Sequence, residues 1–163
     1  MDPFERLFRD EYSRVVAIAN RVLADRQEAE DVAQEVFVDF HRLHRADVPY
    51  AAPWLHRAAA NTALNAVRSR TRRARREANY GALEGPRSVD PADVAEIAEQ
   101  RQIVRTALAR MPRKGAAVLA LRYGGLSYAE VAQALGVNIG QIGTLLRRAE
   151  AALRREVERG TSR

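Results

Sequence analysis

Apolar residues recur along the chain at intervals of three and four positions, which places their side chains on one face of an α-helix. No segment of useful length alternates between apolar and polar residues, so the sequence predicts no strand. The first apolar stripe consists of Phe4, Leu7, Phe8, Val15, Ile18, Ala19 and Val22. The pattern predicts an all-α protein.

Capping residues and prolines place the ends of the first helices. Asp2 followed by Pro3 is typical of an N-cap and the first helical position. Asp25 and Glu28 resemble a capping box that opens a second helix, which runs to about residue 42. A loop containing Pro49 and Pro53 should follow, and then a third helix over about 54–76.

The remaining helices are bounded by proline and glycine. One is predicted from Asp90-Pro91 to residue 111, because Pro112 follows, and another over 113–123, ended by two glycines. Ser127 and Glu130 form a capping box for a short helix through residue 135. Gly136 suits a tight turn, and Asn138 suits the N-cap of a last helix to about residue 159.

This order of cap, short helix, glycine and second cap is typical of a helix-turn-helix. Its interior residues would be Val131, Ala132, Leu135 and Val137. An ordinary helical hairpin is the alternative.

Charge divides the chain into three segments. The net charge is +3 over residues 1–76, −5 over 77–100 and +8 over 101–163, which gives +6 overall. Two basic segments around an acidic one that contains glycine and proline predict two domains and a linker. The basic excess favours a nucleic-acid partner, although 26 of the 27 basic residues are Arg, a bias that a GC-rich genome also produces.

Composition also excludes several classes of site. The absence of cysteine excludes disulfides, thiolate metal sites and cysteine nucleophiles. The charged N-terminus and the absence of a long apolar run predict a soluble cytoplasmic protein. His41, His44 and His56 lack the pattern of a fourth metal ligand, and no catalytic arrangement is evident. We therefore expect no metal, no cofactor and no enzymatic activity.

The predicted second helix has one apolar and one acidic face. The inward arc holds Ala29, Val32, Ala33, Val36, Phe37 and Phe40, and the outward arc holds Glu28, Asp31, Gln34, Glu35, Val38 and Asp39. The outward arc is either a solvated face or a docking surface for a basic partner. Val38 favours docking, because it places an apolar side chain among acids.

The predicted third helix combines polar and cationic residues. Asn61 and Asn65 share one face, and six Arg fall within residues 68–76. Such a density of Arg exceeds what the C-terminal helix dipole requires and favours phosphate binding. Trp54 is expected to pack in the core, with base stacking as the alternative.

The last helix carries Ile142, Leu146, Ala149 and Leu153 on its inward side. Its outer side presents Gln141, Thr144, Arg147 and Arg148. Two glycines and an apolar centre make it unusual for a helix that reads bases.

Together these motifs resemble those of bacterial extracytoplasmic-function sigma factors of the sigma-70 family. AEDVAQEVF is similar to the family's region 2.2, with Asp31, Gln34 and Glu35 in its D-x-x-Q-E pattern. WLHRAAANTALNAVRSRTRR is similar to region 2.4, matching at Trp54, Leu55, Ala59, Asn61 and Arg68. Asn65 replaces a usual Asp there, and Ala60 a common Arg. Residues 108–157 resemble region 4.

The resemblance implies two small helical domains joined by an acidic linker. Residues 1–76 would be region 2, 77–100 the linker through the polymerase's nucleic-acid channel, and 101–163 region 4. Region 2 would dock on the β′ clamp and melt the −10 element with the loop at 43–53 and the following helix. Region 4 would read the −35 element and contact the β flap. An anti-sigma protein is a further implied partner.

Three sets of site residues follow from this reading. The docking set, for polymerase, is Asp31, Gln34, Glu35, Val38 and Asp39. The −10 set is Tyr50, Asn61, Asn65, Arg68, Arg70, Arg72 and Arg73. The −35 set is Asn138, Gln141, Thr144, Arg147 and Arg148.

The last helix departs from the family pattern G-T-V-K-S-R-L-x-R-A. Gln141, Gly143, Thr144 and Leu145 replace T, K, S and R, so the usual cations at 143 and 145 are absent. Two other functions remain open: a DNA-binding regulator that never joins polymerase, and a sigma mimic that titrates an anti-sigma protein without reading DNA.

Overall fold

The N-terminal half is a bundle of three helices. The structure is a computed structural model, and it describes residues 1–79 and 92–161. Helix α1 spans Pro3–Leu23 and α2 spans Arg26–Leu43. The predicted caps are present: Asp2 accepts a hydrogen bond from Phe4 N, and Asp25 accepts one from Glu28 N at 3.0 Å.

Helix α3 spans Ala51–Asn79, so the prediction that it begins near Trp54 was wrong. Pro53 lies in the first turn of the helix, where a missing N–H is tolerated because that turn has no intrahelical acceptor for it. The turn is already closed before Trp54, whose backbone N donates to Tyr50 O at 3.0 Å. Only the loop up to Tyr50 therefore separates α2 from α3.

The described residues 92–161 contain four more α-helices. Helix α4 spans Ala92–Arg110, α5 Arg113–Tyr123, α6 Tyr128–Leu135 and α7 Ile142–Thr161. The C-terminal end of α4 and both ends of α5 and α6 agree with the predictions from proline, glycine and the capping box. The predicted start of α4 at Asp90-Pro91 lies outside the described residues. The part of the predicted linker at 80–91 lies outside the described residues.

The prediction that Asn138 caps the last α-helix directly was wrong. Asn138 caps a single 3-10 turn, Ile139–Gln141, by accepting from Gly140 N at 2.8 Å, and α7 begins after it. A tight turn of this kind is common at helix N-termini, and a capping residue alone does not distinguish it from an α-helical turn.

The apolar stripes pack into one continuous core. All six residues predicted for the inward arc of α2 are buried. Trp54 is half-buried and packs against the core, with its ring centroid 5.3 Å from that of Phe40. Helix α3 packs against α1 and α2 on one side and against α4, α5 and α6 on the other. The two halves therefore lie in direct contact.

Candidate polymerase and nucleic-acid interfaces

The docking set lies on the outer face of α2. All five of its side chains are exposed, and Val38 is 54% exposed. Asp31 accepts a hydrogen bond from Gln27 Nε2 at 3.2 Å, which fixes its carboxylate along the helix. Because the opposite face is buried in the bundle, this acidic face with an apolar residue in it is held rigidly toward solvent.

Four members of the −10 set share one face of α3. Asn61, Asn65, Arg68 and Arg72 follow at steps of four, three and four residues, which keeps them on one side of the helix. Tyr50 comes just before the helix, and its hydroxyl lies 2.9 Å from Nδ1 of His44. This face combines amide groups that can pair with base edges and cations that can neutralise phosphates.

The structure does not bring the whole −10 set together. Arg70 lies on the side of α3 that faces α2, where its guanidinium pairs with the Glu28 carboxylate. Arg73 is exposed but falls outside the face that carries Asn65 and Arg68. The spacing of arginines in the sequence does not reveal which of them is engaged by another helix.

Asn65 and Arg68 contact the C-terminal half. The Arg113 guanidinium donates to Asn65 Oδ1, and Arg68 Nη2 donates to the Met111 carbonyl oxygen at 2.8 Å. Burial, together with the nearby charges of Arg113 and Arg72, lowers the pKa of the Arg68 guanidinium from its ordinary value. Sequence reasoning missed these contacts, because the partners lie 43 and 48 residues apart and no local pattern links them.

The −35 set lies on a well-formed helix-turn-helix. Ser127 and Glu130 make both hydrogen bonds of the capping box, and Gly136 turns the chain at φ +69°. Gln141 is exposed at the end of the 3-10 turn, and Thr144, Arg147 and Arg148 are exposed on α7, as expected.

Two residues of the recognition helix are already in contact with neighbours. The Asn138 side-chain oxygen accepts the hydrogen bond from Gly140 N that caps the 3-10 turn. This bond leaves the side chain less free to contact DNA. Arg147 Nη2 lies 3.4 Å from Thr144 Oγ1, and its guanidinium also passes near Gly143. Leu145 is half-buried against the core, so it continues the inward stripe.

An apolar groove lies between α4, α5 and α7. Its volume is about 530 Å³. Its lining is mostly apolar and includes four charged side chains, those of Arg21, Glu150, Arg154 and Glu158. The principal apolar residues are Val104, Leu108, Leu119, Leu153 and Val157. A groove of this kind suits an apolar segment of a partner.

The histidines make structural contacts. His56 is buried, and its Nε2 lies 2.7 Å from Glu11 Oε1, which ties α3 to α1. The ring centroid of His41 lies 4.4 Å from that of Phe4. Over residues 1–79 and 92–161, no group of three or more His, Asp or Glu is placed to hold a metal ion. None of the helices in those same ranges is long and apolar enough to cross a membrane.

Comparison with known proteins agrees with this geometry. Residues 7–73 match the family model for sigma-70 region 2, and residues 101–153 match the model for sigma-70 region 4. The chain is 30% identical over 158 residues to the ECF RNA polymerase sigma factor SigK of Mycobacterium ulcerans, which covers 94% of this chain and 84% of the relative. SigK of Mycobacterium tuberculosis strain H37Rv is also 30% identical, over 93% of this chain and 83% of its own length.

A solved structure has a similar fold. The sigma factor RpoE of Bartonella quintana, crystallised with the anti-sigma factor NepR, aligns with a TM-score of 0.53 over 95% of this chain and 96% of its own. The two sequences are 20% identical, so this likeness concerns the fold. From the two matched regions and the relatives that span both, the chain belongs to the sigma-70 family of RNA polymerase sigma factors, in its extracytoplasmic-function group.

Proposed function

We propose that this sigma factor directs promoter-specific transcription initiation through three binding surfaces. The docking set on α2 binds the β′ clamp of core RNA polymerase, and the −10 set on and before α3 captures the melted −10 strand. The −35 set on and just before α7 reads the −35 duplex. Nucleotide addition belongs to the polymerase, so no residue of this chain has a catalytic role.

The exposed acidic face of α2 is the observation that carries this proposal. Carboxylates at Asp31, Glu35 and Asp39 complement a basic partner, and the exposed Val38 supplies apolar contact within the same patch. The helix is fixed by its buried face, so little conformational entropy is lost when a partner docks on it.

For the −10 element, the chain can contribute hydrogen bonding, stacking and charge. Extruding a base from the stack costs a few kcal/mol, which is offset by hydrogen bonds to the base edge and by stacking. Asn61 and Asn65 supply donors and acceptors, Tyr50 supplies an exposed ring, and Arg68 and Arg72 can contact the adjoining phosphates.

For the −35 element, the 3-10 turn and the start of α7 offer a short reading surface. Gln141 and Thr144 are the residues we assign to base edges, and Arg147 and Arg148 to bases or phosphates. The structural use of Asn138 as a cap supports a positioning role for it rather than direct readout.

Two further partners are assigned to the C-terminal half and to the chain as a whole. The apolar groove between α4, α5 and α7 is the surface that we assign to the β flap, because its lining suits an apolar segment. An anti-sigma protein is proposed as regulator, since the RpoE structure of similar fold contains one. We place the protein in the cytoplasm, where the polymerase acts.

Reversing charge on the docking face tests the proposal. Asp31→Arg with Glu35→Arg should weaken binding to core polymerase by more than about 100-fold, because two attractive contacts become repulsive. Glu5→Arg with Asp10→Arg, on the exposed side of α1, makes the same change of charge and should leave core binding near that of the wild type. Equal binding by both variants, with unfolding curves unchanged, would contradict the assignment of α2.

A further inference from the structure

Three guanidinium groups lie close together where α3 passes the start of α5. Arg68 Nη2 donates to the carbonyl oxygen of Met111 at 2.8 Å, and the Arg113 guanidinium donates to Asn65 Oδ1. Arg72 follows Arg68 by one turn on the same face of α3. We call Arg68, Arg72 and Arg113 the junction cluster.

No acidic side chain neutralises the junction cluster. The sequence contains neither Asp nor Glu over residues 48–76 or 101–129, the two stretches that meet here. Burial and the like charges of Arg113 and Arg72 lower the pKa of the Arg68 guanidinium. Within residues 1–79 and 92–161, none of these three arginines forms an ion pair. Like charges held together without a countercharge repel one another, so the fold concentrates uncompensated positive charge at this place.

The junction cluster also has unused hydrogen-bond donors. Arg68 Nε is buried and has no hydrogen-bond partner among the described residues. Such buried, unpaired donors are rare in folded proteins, and an ion that binds there is one explanation for them. Each guanidinium has five N–H donors, and the contacts of Arg68 and Arg113 to their neighbours both use only Nη2.

The start of α5 adds donors of the same kind beside Arg113. The backbone N–H groups of Arg113, Lys114 and Gly115 have no acceptor within their own helix, and no side chain caps this end. The first turn contains no acidic residue and carries two cations, which is the reverse of what the helix dipole favours. An anion held by the junction cluster would therefore also meet the positive end of the helix dipole.

We propose that the junction cluster binds a compact phosphate anion, either inorganic pyrophosphate or the diphosphate of a nucleotide, which bridges α3 and α5. Arginine forms paired, charge-assisted hydrogen bonds to phosphate oxygens, so three guanidiniums suit a group with several negative charges. A small anion is favoured over a nucleic-acid backbone because Arg68 is half-buried between helices. Since the site takes side chains from both halves of the molecule, a bound anion stabilises their packing.

Arg113→Gln is the variant that tests the site. Arg68 and Arg72 also belong to the −10 set, whereas Arg113 belongs to none of the three site sets and is exposed. Arg113→Lys keeps the charge but loses the planar pair of donors. Arg9→Gln, at an exposed position near the N-terminus of α1, removes the same charge and is the matched control.

Binding is measured on the full chain without polymerase, at constant ionic strength and without divalent cations. Inorganic pyrophosphate is titrated by calorimetry, and the backbone amide signals of Lys114 and Gly115 are followed by NMR. Sulfate is the control for a smaller divalent anion. Adenosine diphosphate presents the same diphosphate on a nucleoside, and a short duplex DNA presents phosphates on a backbone.

One pyrophosphate should bind per chain, shift the amide signals of Lys114 and Gly115, and raise the melting temperature. Arg113→Gln should weaken binding by roughly 10–100-fold, because charge-assisted hydrogen bonds are lost. Arg113→Lys should fall between this variant and the wild type. Arg9→Gln should bind within about 2-fold of the wild type, since exposed charges far from the anion are screened by salt. Sulfate should bind more weakly than pyrophosphate.

Equal weakening by Arg113→Gln and Arg9→Gln would show general attraction to a basic protein and would overturn the site. Binding of duplex DNA without binding of pyrophosphate or adenosine diphosphate would overturn it as well. The wild-type titration is sufficient by itself, because pyrophosphate that leaves the Lys114 and Gly115 signals unchanged is not held at this junction. Tighter binding of adenosine diphosphate than of pyrophosphate identifies a nucleotide as the source of the diphosphate, and equal or weaker binding identifies the inorganic anion. Neither result depends on the proposed function, because polymerase and promoter are absent.

Discussion

Gly143 is the residue at which this recognition helix departs most informatively from its family. It is the second residue of α7, and an added Cβ would meet only Arg147 Nη1, at 3.5 Å, an ordinary contact with the flexible end of a side chain. A larger residue is therefore sterically acceptable, and Gly143→Ala and Gly143→Lys separate the effect of helix propensity from that of charge.

The two variants should differ in stability. Glycine inside a helix lowers the free energy of unfolding by about 0.5–1 kcal/mol relative to alanine. Gly143 lies in the first turn of α7, so its penalty should not exceed about 1 kcal/mol. Gly143→Ala should therefore raise the melting temperature by about 1–4 °C. Gly143→Lys gains a similar amount of stability from helix propensity, but it places a cation at the helix N-terminus, which is unfavourable by about 0.3–1 kcal/mol. The melting temperature of Gly143→Lys should therefore stay near that of the wild type.

The two variants should also differ in DNA binding. A lysine at position 143 adds one cation beside Arg147, and each additional phosphate contact steepens the dependence of log K on log salt by about 0.9. Gly143→Lys holoenzyme should bind promoter DNA more tightly at low salt with this steeper slope, whereas Gly143→Ala should keep the wild-type slope. Filter binding or fluorescence anisotropy over a salt series measures both quantities.

One outcome would refute this reasoning. If Gly143→Lys folds normally but binds promoter DNA more weakly than Gly143→Ala, then close approach of the DNA backbone or of a protein at this glycine matters more than the missing charge.

Three further changes test the local structure. Gly136→Ala should destabilise the protein by about 1–2 kcal/mol in urea unfolding, because φ is +69° and its Cβ would meet nothing within 4 Å, so the effect is conformational. Ala24→Gly should do the opposite and stabilise by up to about 1 kcal/mol, because Ala24 ends α1 at φ 52°. The hydrogen bond from Ser127 N, with smaller contributions from the Ser127 hydroxyl and Arg14, holds the pKa of Glu130 below its ordinary value. The ionised carboxylate therefore stabilises the folded state above about pH 4.3, and this stabilisation is lost as pH falls through the lower pKa of the folded state. Glu130→Gln preserves the capping pattern but cannot titrate. Its free energy of unfolding, measured by urea unfolding at a series of pH values, should fall less steeply on the acid side than that of the wild type.

Local signals in the sequence were sufficient for most of the fold. The capping box at Ser127 and Glu130, the glycine at 136 and the apolar stripe of α2 each act within a few residues, so periodicity and capping rules identify them. The start of α3 was misplaced because proline is permitted both in a loop and in the first turn of a helix.

The candidate site was less predictable than the fold. Residue type and helical spacing placed the docking set and most of the −35 set on exposed faces, as the structure has them. The same reasoning could not foresee that Asn65 and Arg68 contact the C-terminal half, or that Arg70 pairs with Glu28. These pairings join residues more than 40 positions apart, and they depend on how helices are arranged in space rather than on any local pattern.

Run-off transcription is the most decisive experiment on the proposed sigma-factor function. Core RNA polymerase is incubated with this protein and a pool of genomic promoter fragments, and the 5′ ends of the transcripts are mapped. We expect discrete start sites that share −10 and −35 elements and that disappear when Asp31→Arg and Glu35→Arg are combined. Transcripts no more specific than those of core polymerase alone, from protein that is folded and bound to core, would contradict it.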